Sequence, residues 1–172
     1  MYIPLRRFSS IEELAPVFEH GGQVTFIPLI IRPCCIVRGG NQPWEIIMRG
    51  WKGLNDQKDD LLHEFVHLFH DSCCGYCVDP NETRIFNETE TERQTKRLLK
   101  HNPRIVDEIT RELILHPNCS IVFKSDDARD TPFGDYYYGI IAEVAKEVRN
   151  GTSIYGETRQ LKVLRLANEI GL

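Results

Sequence analysis

Between Asp60 and Cys77 the chain reads DLLHEFVHLFHDSCCGYC, a run with three histidines, one glutamate and three cysteines. His63 and His67 stand four apart, and Glu64 follows the first of them. Residues four apart on a helix share a face, so the two imidazoles can turn to a single ion. A catalytic zinc takes three protein ligands and keeps a position open for water. Glu64 is then set beside that water rather than on the metal. It can take the water's proton during attack on a carbonyl and pass it to the leaving nitrogen. The pattern points to Zn2+ as cofactor and to Glu64 as the catalytic residue. Without a partner, two histidines and a glutamate on an otherwise apolar helix would be costly to bury. His70 lies seven residues from His63, about 10 Å along a helix axis. That is too far for imidazoles that bond a metal at about 2 Å, so His70 reads as a supporting or packing residue.

The third ligand must come from elsewhere, and NETETERQTKRLL (87–99) offers Glu88, Glu90 and Glu92. A ligand has to face inward, so it should share a helix face with small or apolar residues. Glu92 does so with Thr95 and Leu99, and Glu88 lies one turn earlier on the same side. Glu90 points toward Arg97 and reads as solvated. Glu92 is the expected metal ligand, with Glu88 as the alternative. The remaining acids suit a helix start, where negative charge is favoured.

The elements that must position these groups follow from apolar spacing. Ser10 can cap a short helix over 10–19, in which Ile11, Leu14 and Phe18 recur at helical intervals. QVTFIPLIIR and CCIVR read as strands, and Pro28 pushes the first toward an edge or a bulge. WEIIMRG reads as a further strand. A helix is expected over 56–71, apolar around most of its circumference and so buried on more than one side. Helices are also expected over 87–100, 103–116, 136–149 and 156–170, with CSIVF as a short strand and a polar loop running on through Asp135. Strands first and helices after suggest one α+β domain over 1–172, with a small twisted antiparallel or mixed sheet packed on the HExxH helix.

Composition narrows the function classes. The 172 residues are 41% hydrophobic and 27% charged, with a formal net charge of -4. That is ordinary globular composition, and the scattered Lys and Arg form no basic stripe, so direct nucleic-acid binding is disfavoured. The N-terminus lacks the apolar core of a signal peptide. The longest apolar run, VTFIPLII, is too short to cross a bilayer. A cytoplasmic protein with reduced thiols is the expectation for the six cysteines. Cys34, Cys35 and Cys119 read as small core hydrophobes in strands. Cys73, Cys74 and Cys77 form a loop cluster in which CxxC, with Cys34 and Cys35, can also make a structural zinc site or a disulfide. Tyr76 and Tyr136–Tyr138 are candidates to steady an oxyanion, but tyrosines in such places more often pack.

WEIIMRG, LNDQKDDLLHEFVHLFH and ETERQTKRLL together resemble the core of the ImmA/IrrE-type zinc metallopeptidases, over roughly residues 44–100. In that family a strand precedes the HExxH helix, and a later helix with an E-x-x-A-N-like motif supplies the third ligand. The resemblance places His63 and His67 on zinc, Glu64 in catalysis and Glu92 on zinc, with Thr95 and Lys96 where Ala and Asn are usual. It implies a zincin-like fold and a small cytoplasmic peptidase that cleaves a transcriptional repressor. The expected function is therefore a zinc-dependent endopeptidase acting on a protein or peptide partner. Its rival is a zinc-containing regulatory or binding protein that sequesters a repressor or host factor without cleaving it. A third reading, a secreted disulfide-rich protein, rests on the cysteines and lacks an export signal.

Overall fold

The computed structural model describes residues 8–28, 34–36, 42–49, 53–70 and 82–172; at 34–36 and 82–87 only the backbone is described. A 3-10 turn over Ile11–Leu14 leads into α1 (Ala15–His20). Then come strands β1 (Gly22–Ile27), β2 (Cys34–Ile36) and β3 (Trp44–Arg49), followed by helices α2 (Leu54–Phe69), α3 (Glu82–His101) and α4 (Ile105–Leu115). Strand β4 (Cys119–Phe123) comes next, and helices α5 (Asp126–Arg129), α6 (Pro132–Arg149) and α7 (Glu157–Glu169) complete the order. The class is α+β, as expected.

The strands lie in the order β2-β3-β1-β4. β1 runs parallel to both β3 and β4, and β2 is antiparallel to β3. The sheet is thus mixed and mostly parallel, and an all-antiparallel sheet is excluded. β1 is central, which corrects the expectation of an edge strand. Pro28 falls one residue past its end, where the missing N–H is not needed by the ladder.

Register sorts the two faces of the sheet. Val24, Phe26, Ile46 and Met48 are fully buried on one face, together with Trp44. On the other face Gln23 Nε2 donates to Thr25 Oγ1 at 2.9 Å, Thr25 to Glu45 at 3.3 Å, and Ser120 to Gln23 at 3.4 Å. Gly22 is required where Trp44 crosses β1, because a Cβ there would fall 2.0 Å from the indole. That indole N–H donates to Val17 O at 2.9 Å and so fastens α1 to the sheet.

The polar loop expected through Asp135 holds two helix starts. Ser125 caps α5 and Thr131 caps α6, each hydroxyl accepting from a backbone N–H three residues on, with Pro132 in the first turn of α6. Ser10 occupies its expected place before the first turn, but it makes no side-chain cap bond. No helix of the described residues is long and apolar enough to cross a membrane.

Candidate metal centre

Contacts from Gln57, Asp60 and Phe65 set α2 against β3 and α1 around the histidines. Phe65 packs on Phe18 and Trp44, with ring centroids 5.6 Å apart in each pair. Gln57 Nε2 donates to Arg49 O at 2.9 Å, and Arg49 Nη2 donates to Asp60 Oδ2 at 2.7 Å. The end of β3 is thus tied to α2 within two turns of His63. Across from it, α3 buries Thr91, Gln94, Thr95 and Leu98. Its outer part is tethered by Arg97, which donates to Phe8 O at 3.1 Å.

His63, His67 and Glu88 come together where α2 and α3 meet, with one ligand atom from each within 4.8 Å of the others. His67 Nε2 is 3.2 Å from His63 Nε2, 3.1 Å from Glu88 Oε2 and 3.3 Å from Oε1. Glu88 Oε1 also meets His63 Nε2. Tetrahedral zinc with bonds of 2.0–2.1 Å separates its ligand atoms by about 3.3 Å. The observed distances from His67 therefore suit the edges of such a tetrahedron. Two ring nitrogens and a carboxylate turned toward one point can be joined either by imidazole N–H groups donating to Glu88 or by one metal ion that takes all three. Burial raises the pKa of Glu88, but hydrogen bonds from His63 and His67 outweigh it and hold the carboxyl well below its ordinary range.

Exposure gives the cluster a floor and an open side. The His67 side chain is 1% exposed, while those of His63 and Glu88 are 21% and 44% exposed. Glu64 is buried beside His63 on α2. An ion held by these three side chains would be reachable from solvent, as a catalytic zinc must be and a structural one need not be.

The expected ligand Glu92 is not at the cluster. Its side chain is 64% exposed and its nearest cation is Lys96 at 3.9 Å. The inward seam of α3 runs through Glu88, Thr91, Thr95 and Leu98, whereas the face expected from the sequence is that of Glu92, Thr95 and Leu99, with Glu88 on the same side. The two faces share Glu88 and Thr95, and Glu92, about 40° round the helix from Glu88, falls outside the seam that meets α2. The spacing 88-91-95-98, ending on a buried leucine, is the signal that picks Glu88. Glu90, read as solvated and directed at Arg97, is instead buried, with Arg93 Nη1 at 2.7 Å.

His70 closes α2 and takes no part in the cluster. Tyr136 is committed elsewhere, its hydroxyl donating to Asp107 Oδ1 at 2.5 Å, and Tyr137 packs on Phe123. Cys119 is a buried packing residue, as expected, and burial pushes its thiol up to about 11. Cys73, Cys74, Cys77 and Tyr76 lie outside the described residues, as do the side chains of Cys34 and Cys35. Comparison with models of known protein families, with curated proteins and with solved structures gave no match.

Proposed function

We propose that this chain is a zinc-dependent endopeptidase in which His63, His67 and Glu88 hold the metal and Glu64 is the general base and acid. The observation that carries this reading is the meeting of His63, His67 and Glu88 at one point, with distances from His67 Nε2 that suit a tetrahedral ion, and Glu64 following His63 in sequence. Held by His63, His67 and Glu88, zinc would lower the pKa of a bound water to about 7 and polarise the scissile carbonyl. Glu64 accepts the proton released as the water's oxygen bonds to the carbonyl carbon. It returns that proton to the amide nitrogen as the C–N bond breaks. His67 supplies the rigid side of the site, and His63 and Glu88 line the side from which a peptide enters. The likeness of residues 44–100 to ImmA/IrrE-type peptidases supports a zincin-like arrangement, a cytoplasmic setting and a protein substrate such as a repressor.

Metal analysis tests the site directly. Wild type and Glu92→Ala are expected to carry about one zinc per chain, as a three-ligand site implies, while Glu88→Ala loses it. A wild type without zinc, or full zinc in Glu88→Ala, would overturn the assignment.

A further inference from the structure

The outer edge of β4 is a second surface with unspent bonding capacity. Pairing with β1 uses the even-numbered positions: Gly22 N–H donates to Asn118 O at 3.1 Å, and Lys124 N–H donates to Phe26 O at 3.0 Å. In a parallel ladder the alternate residues then turn both backbone groups away from the partner strand. Cys119 spends its outward pair, donating to His116 O at 3.2 Å and accepting from Lys162 Nζ at 2.6 Å. The outward N–H and C=O of Ile121 and Phe123 have no hydrogen-bond partner among the described residues. Their side chains are only half-buried. An edge left in this state is a template for another strand.

Positive groups gather at one end of that edge. A cavity of about 230 Å³ borders it, lined by Ser120, Ile121, Tyr137, Lys162, Arg165 and Leu166 among others. Lys162 is buried there and donates to the carbonyls of Leu113 at 2.9 Å, His116 and Cys119. No carboxylate pairs with it among the described residues. Burial, reinforced by Arg165 and Arg159, pushes the ammonium down to about 8. Arg159 is neutralised by Glu112 at 2.8 Å, but Arg165 is exposed and reaches Glu169 only at 3.8 Å. Beyond the other end of β4 the sign changes, with Asp126 and Asp127 exposed at the start of α5.

We propose that the edge of β4 docks an extended segment of a protein partner, which adds a strand beside Ile121 and Phe123 and sets a carboxylate side chain in the cavity against Arg165, in the field of Lys162, whose three donors are held by backbone carbonyls. Main-chain bonds supply the affinity in this mode, and the pocket supplies the selection. This surface lies on β4, whereas the metal cluster is built on α2 and α3, so the two stand or fall separately.

The test uses solution NMR of the full chain with capped hexapeptides of alternating threonine and valine carrying one terminal glutamate, placed at either end. Matched peptides carry lysine in its place, or N-methyl groups on alternate amides. The glutamate peptide should shift the Ile121 and Phe123 amides, and the lysine peptide should bind about tenfold more weakly. Alternate N-methylation should abolish binding, since it removes the ladder donors. Ile121→Pro, whose lost N–H points outward and so spares the β1 ladder, should abolish it with zinc content unchanged. Arg165→Glu should weaken the glutamate peptide alone. Absence of any β4 shift at about millimolar peptide, equal binding of glutamate and lysine peptides, or undiminished binding after N-methylation would each overturn the proposal.

Discussion

Glu64 and Glu88 are both carboxylates near His63, one by sequence and one across the α2–α3 contact, yet their surroundings separate them. Glu88 reaches across from α3, half-exposed and anionic under the influence of both imidazoles. Glu64 follows His63 on α2 itself and is buried. A ligand must keep its charge to hold a metal, while a base must be able to take and release a proton. Glu64→Gln keeps the shape and removes the basicity. The expected outcome is unchanged zinc content with peptide hydrolysis reduced by about 10²–10⁴-fold, read by metal analysis beside turnover of a cleavable peptide. Hydrolysis at the wild-type rate would remove Glu64 from the mechanism.

Among the elements, α2 was the most legible. Its four-residue histidine spacing fixes a common face through helical pitch alone, and its apolar positions announce burial on several sides. α3 was less legible because it is largely polar, so no apolar stripe fixed its rotation, and only about 40° of helix separates Glu92 from Glu88. The central place of β1 was hidden for a different reason. Its partner β4 lies far along the chain, and Pro28 suggested an edge although it sits just beyond the ladder. The starts of α5 and α6 were present as Ser125 and as Thr131 with Pro132, cap signals inside a stretch that otherwise looks like loop. The join between β3 and α2 sets the helix that carries both histidines, and there Gln57 is fully buried and bonds Arg49 O. Gln57→Ala leaves that carbonyl without its side-chain donor. The loss should be about 1–3 kcal/mol in urea unfolding of the metal-free chain, with zinc still bound at saturation. A loss of zinc binding at unchanged stability would show that Gln57 serves the site and not the join.

For the whole molecule, the metal would be a cross-link between α2 and α3. An ion that binds only the folded state stabilises it by about 2.7 kcal/mol at a hundred times its Kd. In a chain of this size that raises Tm by about 5–10 °C. Calorimetry with and without zinc should show that rise in wild type, its reversal by chelator, and its absence in Glu88→Ala. Equal rises in wild type and Glu88→Ala would mean that zinc binds elsewhere. The sheet sets the order in which such a molecule can be completed. Ser120 meets Gln23 from 97 positions away, and the β1–β4 ladder that brings them together forms only after α2, α3 and α4 have been made. Contacts this remote in sequence are slow to form, because a long loop must close before they contribute. On the ribosome, His63, His67 and Glu88 all emerge before the strand that completes the sheet. A nascent chain can therefore present all three proposed metal ligands while one side of its central strand is still bare.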